Sequence, residues 1–176
     1  MQLVYFETVE GSRYGEAIYE LLVMADKEFI PPLSSRGSST QSDLSGTSAA
    51  EEGARDYYRS MASQPVVLAL EEERCLGFMA FKIDYTCEQV KELPNLYAST
   101  CVVHPDARGK KLMEGFYREM VRLFPEALIF TRTWHTNAPH LRVLEKLGFR
   151  EVARLKDHRG LGLDTVYFRR SVGGRI

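Results

Sequence analysis

"VVHPDARGKKL", residues 102–112, runs from apolar, β-branched strand material through a proline turn into a basic cluster and the start of a helix. A helix beginning near Gly109 leaves its first N–H groups without intrahelical acceptors and carries the positive end of the macrodipole. Such an end suits phosphate, because the amides point at the anion and the dipole favours its charge. Gly109 lets a ligand approach the backbone, Arg108 can fork onto phosphate oxygens, and Lys110 and Lys111 add charge nearby. The plainer alternative is that the lysines only solvate a helix start.

Upstream, "NLYASTCVV" (95–103) reads as the strand that feeds this junction. Downstream, Leu112, Met113, Phe116, Tyr117, Met120, Val121 and Phe124 recur at i, i+3, i+4 and mark the clearest amphipathic helix of the chain. "ALIFTRTW" (127–134) is a strand, "APHLRVLEKL" (138–147) a helix that Gly148 ends, and "FREVARL" and "DTVYFRR" are two closing strands. Toward the N-terminus, "LVYFETV" (3–9) is a strand. Tyr14, Ile18, Leu21, Leu22, Ala25 and Phe29 then follow at helical spacing, up to Pro31 and Pro32. A second helix carries Ala50, Ala54, Tyr57, Tyr58 and Met61, and "PVVLALEEERCLGFMAFKIDY" (65–85) reads as a hairpin. The order β-α-α-β-β-β-α-β-α-β-β lacks regular alternation. It predicts an α+β fold, a mixed and mostly antiparallel central sheet of about seven strands flanked by about four helices.

Between the first two helices lies "LSSRGSSTQSDLSGTS" (33–48), too polar for core and too long for an ordinary connection. It is either a surface loop or, over residues 31–50, a lid on a site.

At 176 residues and 44% hydrophobic, the chain suits one domain with a substantial core, residues 1–176. With 23 basic and 24 acidic residues it has no global field to draw it to nucleic acid or to a membrane, so an anion site must be local. Cys75, Cys87 and Cys101 are odd in number and lack C-x-x-C spacing, which predicts reduced thiols in a cytoplasmic protein. No leader and no apolar run of spanning length is visible. His135 and His140, five apart, would not share a helix face, and no metal is expected.

The pattern V-x-P-x-x-R-G-x-x-L, here Val103, Pro105, Arg108, Gly109 and Leu112, resembles the acetyl-CoA motif of the GCN5-related N-acetyltransferase superfamily. "NAPHLRVLEKLGF" (137–149) resembles that family's Asn-headed helix, and the hairpin resembles its second and third strands, so the likeness covers most of residues 64–156. The resemblance implies that strands 96–103 and 127–134 splay around the pantetheine arm of acetyl-CoA. The main chain of Val102 and Val103 would pair with the arm, residues Arg108, Gly109, Lys110, Lys111, Leu112 and Met113 would hold the pyrophosphate, and Asn137 would touch the arm or simply cap its helix. Lys111 stands where the family has its second glycine and Met113 where it has a small residue. At ordinary helical φ a Cβ at 111 is tolerated and its N–H stays available.

The family's usual proton carriers are absent: Leu144 replaces the tyrosine seven residues after the Asn, and Ser99 the glutamate nine before the Arg. Glu92, Tyr97, Ser99 and His135 remain as substitutes, working through ordered water, although each also has a purely structural reading. Cys101 reads as an inert strand thiol, so direct attack in a ternary complex is expected. Arg36, Tyr57 and Tyr85 would rim the acceptor site, with Arg36 favouring a carboxylate or phosphate. The implied activity is acetyl transfer to a primary amine of a small molecule or peptide; the alternatives are a non-catalytic acyl-CoA-binding domain and, further off, another kind of nucleotide site. The resemblance also allows pairing through edge strands into a homodimer.

Overall fold

The structure is a computed structural model; it describes residues 1–44 and 50–173, and the side chains of these apart from residues 50–52. The elements are β1 (Gln2–Phe6), α1 (Gly15–Ala25), α2 (Ala50–Ala62), β2 (Val66–Glu71), β3 (Arg74–Ile83), β4 (Asn95–Val103), α3 (Leu112–Leu123), β5 (Leu128–Trp134), α4 (Ala138–Lys146), β6 (Arg150–Leu155) and β7 (Thr165–Arg170). The seven strands form one open sheet in the order β1-β2-β3-β4-β5-β7-β6, antiparallel throughout except for the parallel pair β4–β5. The mixed α+β architecture read from the sequence is the one observed.

Helices cover both faces, so β2 and β3 read as almost unbroken apolar runs rather than alternating ones. On one face Ile18 and Leu22 of α1 and Tyr57 and Met61 of α2 pack on Val66, Leu68, Phe78 and Val102. On the other, Phe116, Tyr117 and Met120 of α3 and Leu144 of α4 pack on Val67, Met79, Phe81, Leu96 and Ile129. A third cluster, Tyr97, Phe130 and Tyr167 with Val90, closes the sheet below the site.

The decisive feature is where β4 and β5 part. They pair only over Asn95–Ala98 and Leu128–Thr131. Beyond that, β4 stays on β3 as far as Val103 and β5 stays on β7 as far as Trp134, which leaves two facing strand edges unpaired. A β-bulge supplies the bend: Thr100 lies opposite Ala80 and Ala98 opposite Phe81, so Ser99 is the extra residue. Its hydroxyl donates to Gln64 Oε1 (2.6 Å) and lies 3.1 Å from Ala80 O. The bulge also shifts side-chain parity. Leu96 and Ala98 face α3 and α4 before it, Cys101 and Val103 after it.

The polar segment that could be surface loop or lid is held down over residues 31–44. Leu33, Ser34, Arg36, Ser39 and Leu44 are buried. Lys82 Nζ donates to Thr40 Oγ1 (3.0 Å), Gln64 Nε2 to Ser39 Oγ (3.0 Å) and Arg132 Nη2 to Gln41 O (2.7 Å). Gly53 of α2 lies so close that a Cβ there would stand 1.7 Å from Ser34 O. Residues 45–49 of the expected lid lie outside the described residues. The first helix is shorter than its apolar spacing suggested: it ends at Ala25, a 3-10 turn spans Asp26–Glu28, and Phe29 is extended.

Candidate active site

A cleft of about 760 Å³ runs through the fork between β4 and β5 and is lined from both faces of the sheet. Val102 and Val103 line it along the unpaired edge of β4, and Arg108, Gly109, Lys111, Leu112 and Met113 close one end; Lys110 is not in its wall.

That end is built by a tight reversal. His104 Nδ1 accepts from Asp106 N (3.2 Å), a 3-10 turn follows over Pro105–Ala107, and Gly109 takes φ +78°. Nothing lies within 4 Å of a Cβ built on Gly109, so conformation rather than space calls for glycine there. Lys111 corrects the sequence reading. It is not in ordinary helical conformation but left-handed, φ 60° and ψ 26°, and it is the N-cap of α3, which begins at Leu112 rather than near Gly109. Two positive-φ residues within three positions turn the chain sharply enough to present its amides. The N–H groups of Gly109, Lys111, Leu112 and Met113 donate to no described residue, and the first helical bond is Gly115 N to Lys111 O (3.0 Å). The family glycine at this place therefore has a conformational reason, and the lysine accepts the left-handed conformation at a cost of about 1–2 kcal/mol.

An unpaired strand edge leading to a row of free amides at a helix start is a frame for a long ligand with an anionic end. The model of the acetyltransferase (GNAT) family matches residues 35–149. The chain belongs to the GNAT family. No curated protein matches it significantly in sequence. Solved structures of similar fold include an aminoglycoside 6'-N-acetyltransferase complexed with coenzyme A (12% identity, TM-score 0.69, covering 100% of this chain and 99% of that one). A ribosomal-protein-alanine N-acetyltransferase from Brucella melitensis is also similar (15%, 0.63, 96% and 99%), as is the ribosomal-protein-S18-alanine N-acetyltransferase from Escherichia coli (12%, 0.62, 99% and 97%).

In this GNAT chain Arg108 is already engaged. Its Nη2 donates to both carboxylate oxygens of Glu28, at 2.6 and 2.8 Å, across the mouth of the cleft. Asn137 caps α4: its Oδ1 accepts from His140 N (3.4 Å) while its Nδ2 donates to Thr133 Oγ1 (2.9 Å). At the floor of the fork Thr131 Oγ1 donates to Ala98 O (3.1 Å), where the parallel pairing stops. Beside it, Tyr117 Oη and His140 Nε2 are 2.8 Å apart and both residues line the cleft. Burial raises the Tyr117 hydroxyl well above its ordinary value, with a smaller opposing pull from Thr131, and lowers His140 to about 4. At neutral pH both are therefore uncharged. Cys101, also in the wall, is pushed up to about 12 by loss of solvent and stays a thiol.

The other residues singled out in the sequence are scattered. Ser99 lines the cleft as the bulge residue and Arg36 lines its far side. Glu92 lies outside it, ion-paired with Arg169. Tyr97 is buried in the third cluster with the Tyr85 ring tilted against it, centroids 4.6 Å apart, and neither lines the cleft. His135 Nδ1 accepts from Asp164 N (3.1 Å) at the end of β5 and is not in the wall. Tyr57 lies behind the wall, its hydroxyl 2.7 Å from Thr100 Oγ1. Sequence reasoning missed Glu28, Tyr117, Arg132, His140 and Arg159. Two of them carried a signal: a tyrosine inside an otherwise apolar helix stripe needs a hydroxyl partner, and Arg132 interrupts an apolar strand. Among the described residues no cluster could hold a metal ion, and no helix is long and apolar enough to cross a membrane.

Proposed function

We propose that the protein transfers an acetyl group from acetyl-CoA directly to an amine of a small molecule or peptide, with both substrates held in the cleft. The observation that carries this reading is the fork itself: a strand edge stripped of its partner at Ser99–Val103 that ends on the free amides of residues 109 and 111–113. The main chain of Val102 and Val103 supplies the donors and acceptors for the pantetheine arm. The amide row, with Arg108, Lys110 and Lys111 as charges around it, holds the pyrophosphate. Asn137 acts by fixing the start of α4 beside the arm. The segment 31–44 closes the acceptor side as a lid.

The amine nitrogen attacks the thioester carbonyl carbon, the C–S bond breaks, and the departing thiolate must be protonated or stabilised. In place of the family's tyrosine, which is Leu144 here, we assign the acid's role to Tyr117, which lines the cleft beside His140. In the Nε2–H tautomer His140 donates to Tyr117 Oη, the phenol gives its proton to the departing sulfur, and the proton lost by the amine returns to the phenolate through solvent. Because the carboxylate usual in the family is Ser99 here, the amine has to arrive uncharged, and rate depends largely on positioning. The protonated state of Cys101 supports direct transfer over an acetyl-cysteine route. Three unpaired cysteines fit a reducing, cytoplasmic setting.

The test is calorimetry with acetyl-CoA followed by a thiol-release assay over a panel of amines. Binding with amine-dependent thiol release supports the reading. Binding without release from any amine would make the protein an acyl-CoA-binding domain, and no binding would remove both.

A further inference from the structure

The far side of the cleft gathers three guanidinium groups that pair with no carboxylate among the described residues. Arg36 and Arg159 are only 6% and 8% exposed, and both, with Arg132, line the wall. Arg36 donates from Nε and Nη2 to Pro31 O (3.0 and 2.6 Å), and Arg132 from Nη2 to Gln41 O and from Nη1 to Tyr167 Oη (3.3 Å). Arg159 donates from Nε to Thr165 Oγ1 (2.9 Å) and from Nη1 to Ile30 O. All of these acceptors are neutral. Among the described residues none of the three has an acidic partner, whereas Arg108, Arg122, Arg154 and Arg169 all sit on carboxylates. Asp26, whose charge is felt at Arg36, is engaged by the N–H and hydroxyl of Ser34 (2.6 and 3.0 Å).

Two aromatic rings lock the arrangement. The Arg36 guanidinium lies 5.6 Å from the Phe29 ring and that of Arg159 5.6 Å from the Trp134 ring, while the two rings are 6.1 Å apart. Arg36 Nη1 and Arg159 Nη2 make no bond to a described residue, and both residues line the cleft. Burying cations together is costly unless an anion compensates them. The strain shows in Arg159, which loss of solvent and the charges of Arg36 and Arg132 bring down to about 9. In a chain of net charge −1, this local excess is built rather than a by-product of composition.

We propose that the acceptor is an amine that also carries an oxyanion, a carboxylate or phosphoryl group, which Arg36, Arg132 and Arg159 hold on the side of the fork opposite Tyr117. This rests on the acetyl-transfer reading for the role of the amine, though not for the anion site. Three guanidiniums present planar donor pairs that match either group, and the anchoring carbonyls of Ile30, Pro31 and Gln41 keep them in place without the ligand.

Trp134 is the only tryptophan of the chain, which gives the site its own reporter. The full chain, saturated with coenzyme A, is titrated with inorganic phosphate and with succinate while its fluorescence is followed. A saturable change, weakened about tenfold or more in Arg132→Gln, supports the proposal; an interaction with a charged donor is worth enough for that loss. Tighter phosphate or tighter succinate names the group. The absence of a saturable change, or one that Arg132→Gln leaves untouched, overturns it. Acetylation of matched pairs, ethanolamine against its phosphate ester and phenethylamine against phenylalanine, gives the second arm: kcat/KM at least about tenfold higher for the anionic member is expected, and parity or a preference for the neutral member overturns it. If coenzyme A does not bind, the transfer reading fails separately. The same titration of the free chain then still decides the anion site, because phosphate on the amide row would not respond to Arg132→Gln.

Discussion

Tyr117 of α3 and His140 of α4 meet at 2.8 Å beneath the point where β4 leaves β5, two uncharged polar groups in the wall of the fork. If the phenol protonates the departing thiolate, Tyr117→Phe lowers kcat by about 100-fold. The acetyl-CoA dissociation constant, measured by calorimetry, should stay unchanged. His140→Gln should fall between the two, since an amide N–H can still orient the phenol. An unchanged kcat in Tyr117→Phe would reduce the pair to packing.

The same histidine makes stability depend on pH. Its folded value of about 4 lies below its ordinary 6.5, so between these pH values the unfolded chain binds a proton that the folded chain does not. Its contribution is complete above about pH 6.5 and is lost as pH falls toward 4, at most about 3 kcal/mol. Urea midpoints at pH 7 and 4.5 should therefore differ more in the parent than in His140→Gln.

Glu28 and Arg108 form an ion pair whose side chains are about half exposed, which makes it weak, about 0–1 kcal/mol. A pyrophosphate carries more charge and has the amide row besides, so it should win the guanidinium. Removing the competitor, Glu28→Gln, is expected to tighten acetyl-CoA about two- to fivefold. The gain should shrink as salt is raised. Calorimetry at two ionic strengths reads both effects.

Gly53 leaves no room for a methyl group against Ser34 O. Gly53→Ala should therefore push the 31–44 segment off its seat and cost about 1–3 kcal/mol of stability. Since that segment carries Arg36 and Ser39 but none of the amide row, the KM for the acceptor should rise while acetyl-CoA affinity holds. Equal losses in both would mean that the segment does not act as a separate acceptor-side lid.

What the sequence alone determined is local in origin. The periodicities of Leu112–Phe124 and of the 65–85 hairpin placed helices and strands because side-chain spacing follows 3.6 and 2 residues. The motif around Arg108 and Gly109 placed the amide row because proline, glycine and a helix start make it within ten residues. Left-handed Lys111 was not legible, since nothing in a lysine announces positive φ. The tertiary structure alone decided the rest. Ser99 became a bulge only through its register against Ala80 and Phe81. Glu28 reached Arg108, Tyr117 reached His140, and Arg36, Arg132 and Arg159 gathered in one wall of the cleft, by folding across 80, 23 and more than 90 residues. Charges and hydroxyls so far apart in the chain acquire chemistry only when burial removes the water between them, and burial is a property of the packed molecule.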